Sequence, residues 1–286
     1  MKNFLKSVSL IGLLFSGLTS NAQNDNSLLW KISGNGLEKP SYVFGTIHMI
    51  CENDYIMTPV IEKTIQSVDA YYAELDFSNM AEMTRLQKEM VAEKPLSQRI
   101  DADTYKHLQE LLKEVVNLDI THFENLSDAA ITSVVTMKSY PCETQKSYEV
   151  ELLQKALKEN KKMGGLESVE FQINVMKKTM DVKTLITMLE ELKDKGFETT
   201  HKMVSLYTNQ QIDDLIRFMN ETSYMNEDVY EIMLVERNKN WSKIIPELMK
   251  EESAFFAVGA GHLGGEIGIL QLLRDQGYEV SPISIN

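Results

Sequence analysis

A chain of 286 residues with 43% hydrophobic side chains has enough apolar mass for a sizeable core, as one large domain or a fused pair of half-domains. Its formal charge of −13 at neutral pH excludes nucleic acid as a partner. The acids are scattered among lysines in the pattern of solvated helix faces, so the charge serves solubility and says little about substrate.

Lys2 and Lys6, an apolar run over residues 8–18 and the small-residue exit Ser20-Asn21-Ala22 read as a secretory signal peptide spanning residues 1–22. The run is too short for a membrane anchor, and no later stretch reaches about 18 uncharged apolar residues. A free periplasmic or secreted protein is expected, with no integral membrane segment in the mature chain. Cleavage after Ala22 removes two lysines and moves the formal charge from −13 to −15. An exported chain with two cysteines, Cys51 and Cys142, favours a disulfide closing a 91-residue separation. The competing reading makes Cys51, three residues after His48, a metal ligand.

Residues 27–32 and 41–44 are short apolar runs separated by Gly34, Gly36 and Pro40, which predicts a β-hairpin. The second run passes directly into Gly45-Thr46-Ile47-His48. Residues 58–68 carry helical spacing with Pro59 in the first turn, and residues 70–77 read as an alternating strand bearing Glu74 and Asp76. Helical periodicity then covers residues 80–92, 103–116, 127–139, 150–159, 169–180, 182–195, 210–220 and 226–250. Only a β-like run over residues 162–167 interrupts it. A second strand, residues 253–258, enters Gly259-Ala260-Gly261-His262, followed by a helix over 266–276 ended by Gly277 and a last strand over 278–283. The predicted fold is therefore α/β: two pseudo-repeated β-α-β halves forming a central mixed sheet within a domain over residues 23–286. A large helical insert or cap occupies approximately residues 79–250.

Loops that follow same-direction strands open on the carboxyl edge of a sheet, so the two turns are expected to bring His48 and His262 to one edge, with Glu74 pointing there too. With 14 glycines in 286 residues, two of five histidines sharing the Gly-x-x-His spacing by accident has a probability of roughly 2%. Glycine lets the backbone turn sharply off the strand, and the imidazole then projects as a metal ligand or general base. Two unrelated core or capping histidines are the bland alternative. His107, His122 and His201 read as ordinary surface residues.

A carboxylate in Tyr71-Tyr72-Ala73-Glu74 is costly inside an apolar strand unless paired or metal-bound, which makes Glu74 a site candidate; the alternative is an edge-strand acid in water. Glu167 repeats the pattern at another strand end, with Ser168 as a helix N-cap, and its structural and functional readings weigh equally. Arg237 and Trp241 share a helix face, and Arg237 could hold a carboxylate of protein or substrate; on sequence alone an ordinary helix salt bridge is favoured. Gly259-x-Gly261-x-x-Gly264 matches a dinucleotide fingerprint, but the chain ends too soon to complete that fold and His262 would crowd a pyrophosphate.

Taken in order, Tyr42-Val-Phe-Gly-Thr-Ile-His48, the Glu74 strand, Gly165-Leu-Glu-Ser168 with Gln172, Glu236-Arg-Asn-x-x-x-Trp and Val258-Gly-Ala-Gly-His262 resemble the TraB/GumN family, which includes the Tiki-like proteins. The resemblance runs from Leu28 to Ile283. It implies an α/β fold of two related halves, shared with erythromycin esterases and ChaN-like proteins. It also implies a hydrolase dependent on manganese or cobalt, as the Tiki metalloproteases are. By that similarity His48, Glu74 and His262 are the metal or catalytic positions, with Arg237 and Asn238 in support. The lack of a His-Glu-x-x-His helix sets the chain apart from ordinary zinc proteases.

The expected function is an exported, metal-dependent peptidase in which a divalent ion on His48, His262 and a carboxylate activates water while Glu74 or Glu167 moves the proton. The alternatives are a protein that sequesters a peptide or other ligand without turnover, and a metal-independent esterase with a histidine base. A peptide or small ester is the expected substrate.

Overall fold

The computed structural model describes residues 26–285; the leader read over residues 1–22 lies outside the described residues. Strand β1 (Leu29–Ser33) and strand β2 (Ser41–Thr46) form the expected antiparallel hairpin, Trp30 opposite Val43. Short β3 (Met49–Cys51), helix α1 (Pro59–Ser67) with Pro at its start, and β4 (Ala70–Ala73) follow. The strand predicted over 70–77 stops at Ala73. All four of its residues are buried, because β4 is covered on both faces; alternation is the mark of a half-exposed strand.

The middle of the chain holds α2 (Met80–Glu89), α3 (Leu96–Arg99), α4 (Ala102–Val116), α5 (Asp128–Lys138), β5 (Gln145–Ser147), α6 (Tyr148–Lys158), β6 (Lys162–Gly165), α7 (Val169–Thr179), α8 (Val182–Lys195), α9 (Glu198–Thr208), α10 (Ile212–Asn220), α11 (Glu227–Tyr230) and α12 (Glu236–Glu251). Helix α9 lies where no element was expected. Ser168 caps α7 by accepting from Phe171 N, as its position predicted. The helix expected over 226–250 is interrupted by a π-helical turn, Glu231–Val235, directly before Arg237, a kind of irregularity found at functional sites. The chain closes with β7 (Ala254–Gly259), α13 (Ile269–Asp275), ended by Gly277, and β8 (Glu279–Ile283).

Six strands form one mixed sheet in the order β6-β4-β7-β2-β1-β8. Strands β6, β4, β7 and β2 run parallel, and β1 is antiparallel to both β2 and β8. Each half is a strand-helix-strand unit, but neither pairs its own two strands. β7 inserts between β2 and β4, while β8 crosses to the far side of β1. The central strand, Ala254-Phe-Phe-Ala-Val258, is apolar throughout because it has strands on both sides and cover on both faces. The main core surrounds this sheet. Leucines of α4 and α8 pack with Ile131 and Val135 of α5 in a second core within the helical part. The small β3–β5 ladder brings Cys51 to Cys142. Their Cα atoms are 5.9 Å apart and the sulfurs are bonded, which removes Cys51 as a metal ligand.

Candidate functional site

Parallel pairing of β2 with β7 sets Gly45 opposite Val258 and Thr46 opposite Gly259, so both Gly-x-x-His turns leave adjacent strands at one carboxyl edge. The turns interlock. A Cβ on Gly45 would come within 2.6 Å of Leu263 Cδ1 and 3.2 Å of Ala260 Cα, so a side chain there would wedge the second turn away. Tyr207 from α9 donates to Gly45 O at 3.1 Å and holds the first turn from above. The nucleotide-like glycine spacing has a packing cause: a Cβ on Gly264 would meet Asp213 Oδ1 and Ile212 at 2.5 and 2.9 Å.

His262 is buried, and its Nδ1–H donates to Asn238 Oδ1 at 2.7 Å. Asn238 Nδ2 in turn donates to Ile267 O at 2.9 Å, which fixes the amide so that its oxygen faces the imidazole. His262 Nε2 is therefore an acceptor, and Arg237 Nη1 donates to it at 3.2 Å. Burial, then the Arg237 cation, push His262 down to about 3, so it is neutral at physiological pH.

Arg237 is the hub of the site, with a side chain 5% exposed. Its Nε and Nη2 donate to Glu167 at 2.7 and 3.2 Å, Nη2 also to Glu74 Oε2 at 2.5 Å, and Nη1 to Met233 O at 3.2 Å. The guanidinium stacks 4.7 Å from the Trp241 ring, one helical turn on. A buried guanidinium shared by two carboxylates stays charged because both acids outweigh its desolvation. Burial alone would raise Glu74; Arg237 and the histidines, with the Gly259 N–H at 2.8 Å, reverse that and hold it well below the usual carboxylate range. Burial prevails at Glu167, which is raised.

His48 lies where β2 gives way to β3. Its side chain is 75% exposed to solvent, and Nδ1 meets Glu149 Oε1 at 2.5 Å. The Glu149 charge and hydrogen bond raise the imidazole to about 9. Ser147 donates to the other Glu149 oxygen and steadies it.

A cavity of 330 Å³ unites these groups: His48, Glu74, Arg237 and His262 all line it. Its far wall is apolar and rich in methionine, with Met188, Met203, Met219 and Met233 contributed by α8, α9, α10 and the π turn. Glu167 and Asn238 stand behind it, one holding Arg237 and the other His262. His107, His122 and His201 are exposed and do not line it.

Glu149 escaped sequence reasoning because an acid in the first turn of a helix is explained by the helix dipole alone. Its only signal was company, an acid just past the β5 strand that pairs with the strand after His48. The methionines were hidden by their helical spacing, which reads equally as core.

As donors to a divalent ion, two imidazoles and a carboxylate are a chemically suitable set. Each imidazole ties Nδ1 to a side-chain oxygen, the arrangement that orients metal-binding histidines. Among the described residues, however, no three His, Cys, Asp or Glu side chains converge on a common point. His262 Nε2 and Glu74 Oε1 are 3.9 Å apart, and Arg237 holds both residues. The donor chemistry fits a metal, and the position of Arg237 is what an ion would have to contend with.

The fold is thus a mixed α/β sheet that brings two histidine turns to one cavity. The model of the TraB/PrgY/gumN family matches residues 28–282, and the chain belongs to that family. It is similar to "Metalloprotease TIKI2" of Xenopus tropicalis, 23% identical over 92% of this chain and 61% of the relative. "Metalloprotease TIKI1" of Danio rerio is 23% identical over 92% of this chain and 64% of its own. "Metalloprotease TIKI homolog" of Amphimedon queenslandica is 26% identical over 40% and 27% respectively. The chain spans about three fifths of the length of the TIKI1 and TIKI2 relatives. No solved structure matches it. Among the described residues no helix is long and apolar enough to cross a membrane.

Proposed function

We propose that this chain is an exported, metal-dependent hydrolase that cleaves peptides at the corner where His48, Glu74 and His262 face the methionine-lined cavity. Support comes from each imidazole having Nδ1 held by a side-chain oxygen, from Glu149 or Asn238, which leaves Nε2 as its other nitrogen on the cavity that Glu74 also lines. To bind an ion, His48, which Glu149 keeps charged, would release its Nε2 proton, and His262 would exchange the Arg237 hydrogen bond for the ion. Similarity to proteins named metalloproteases supports the same class. His48, His262 and Glu74 would hold the ion, manganese or cobalt by that similarity, and the ion would supply Lewis acidity and lower the pKa of a water.

The chain's own residues do the rest. Asn238 keeps His262 in the tautomer whose Nε2 carries a lone pair. Glu74 is held ionised by Arg237, which suits a charge-bearing ligand better than a base. Glu167 has both oxygens on Arg237 and acts as its positioning residue. Glu149, outside the reach of Arg237's hydrogen bonds, is the carboxylate placed to carry a proton beside His48. In the hydrolysis the water oxygen bonds to the carbonyl carbon, the C–N bond breaks, and a water proton ends on the leaving amine. The methionines, unbranched and adaptable, suit an apolar substrate side chain next to the cleaved bond.

Metal-independent ester hydrolysis is the second reading, favoured by Arg237 already donating to His262 Nε2. Metal analysis of the purified chain beginning at Gln23, and a peptide panel with Mn²⁺ or Co²⁺ against chelator, separate the two. The expected result is peptide cleavage that chelator stops, with His48→Ala and His262→Ala each losing both turnover and metal while His107→Ala keeps both. Ester cleavage undiminished in chelator would establish the second reading. Stoichiometric peptide binding without product would make the protein a sequestering one.

A further inference from the structure

Adjoining the cavity, and sharing Thr46, His48 and Glu74 with it, lies a small pocket of 50 Å³ that Glu149, Tyr71 and Gln172 also line. We infer that Tyr71 is a further functional residue, its hydroxyl donating to one small oxygen ligand, the hydrolytic water, held in this pocket against His48 and Glu74. The identity of that ligand rests on the hydrolase reading above; the existence of the subsite does not.

Tyr71 is 2% exposed, yet its hydroxyl has no hydrogen-bond partner among the described residues. A buried hydroxyl without a partner is costly, and native proteins keep one when a ligand, a water or function requires it. Of the tyrosines around it, Tyr148 donates to Ile56 O and Tyr207 to Gly45 O, while the Tyr55 hydroxyl is also buried without a partner but does not line this pocket. The ring of Tyr71 cannot swing away, because it stacks on Phe255, its register partner across β4 and β7.

Two residues further along the same strands Ala73 faces Ala257, and both line the pocket. This pair of small side chains at the carboxyl edge leaves space that larger residues would fill. The volume exceeds the roughly 10–15 Å³ that a water needs, and such a site also requires two to four polar partners. Here Tyr71, Gln172 and Thr46 supply them beside the carboxylates. Gln172 is half-buried and lines the pocket with its amide available to a ligand there. Burial raises Tyr71, so the phenol remains a donor throughout the range in which the protein would work.

Tyr71→Phe removes one oxygen and keeps the stack. The urea midpoint of this variant decides the subsite without reference to activity. If the hydroxyl bonds a held ligand, the midpoint falls, since a satisfied hydrogen bond is lost. A midpoint that rises or stays level overturns the inference, because deleting an unsatisfied hydroxyl relieves the fold. On a peptide that the wild type cleaves with Mn²⁺, kcat should drop about 10- to 100-fold with KM within about twofold, the effect of losing one hydrogen bond to an oxygen that takes on negative charge in the reaction. An unchanged kcat alongside a lowered midpoint would overturn the catalytic assignment and leave only a structural water. Gln172→Leu, altering another lining residue, should lower kcat in the same sense, and normal turnover in both variants would also overturn that assignment. If the wild type cleaves nothing, the hydrolase reading fails on its own while the urea comparison still decides the subsite.

Discussion

Arg237→Met keeps an unbranched stem but deletes the guanidinium and its charge, which strands two acids. The side chains of Glu74 and Glu167 are 11% and 4% exposed, and their shared cation is 5% exposed. Breaking a buried pair by removing one partner costs about 3–5 kcal/mol, and here a single deletion also frees Met233 O and His262 Nε2. A loss of about 3–5 kcal/mol at pH 7 is expected, a large share of the roughly 5–15 kcal/mol that stabilises a typical protein. Without the cation, burial and mutual repulsion raise both carboxyls in the folded variant above their unfolded value of about 4.3. The folded variant then binds protons that the unfolded chain does not, so its deficit against wild type shrinks as pH falls from 7 towards 5. Below the unfolded value the variant's own curve levels off, while wild type starts to lose stability because its Glu74 carboxyl is held below the unfolded value, so the deficit goes on shrinking. Urea denaturation of both proteins at half-unit pH steps measures this. A deficit under about 1 kcal/mol at pH 7, or one that is constant between pH 7 and 5, would refute the buried-hub account.

Gly45→Ala should cost about 1–3 kcal/mol and lower turnover, because its Cβ meets the backbone of Ala260 at 3.2 Å as well as Leu263. Gly259→Ala should be tolerated within about 1 kcal/mol, since its Cβ would touch Glu74 and His262 only at 3.4 and 3.5 Å; urea midpoints in the reverse order would contradict the interlocked turns. Replacing Cys51 and Cys142 together by alanine should remove about 4–5 kcal/mol in the chain-entropy account and make the melting temperature insensitive to reductant. Asn238→Ala should cut turnover about 10- to 100-fold while Asn238→Asp, which keeps an acceptor for His262 Nδ1–H, retains more of it. Equal losses in the two variants would remove Asn238 from its positioning role.

What was legible in the sequence is local. Apolar runs closed by Gly and Pro marked the β1–β2 hairpin, Pro59 and Ser168 marked helix starts, and Gly277 marked a helix end, because each depends on a few neighbouring dihedrals and hydrogen bonds. The two Gly-x-x-His turns were legible as a repeat, and same-direction strands put them on one edge whatever the strand order. The order itself was not. That β7 enters between β2 and β4, and that β8 crosses to β1, is decided by which apolar faces pack best across 180 or more residues of intervening chain, and no periodicity encodes it. The same holds within the site. Arg237 looked like an ordinary helix salt bridge, Glu149 like a helix-dipole acid and Tyr71 like one more strand aromatic. A residue's charge partner, and the water it loses or keeps, exist only once distant segments close over it. Residue types therefore named the candidate chemistry, while burial and strand pairing decided that one guanidinium would hold two acids and a histidine at the mouth of a methionine-lined cavity.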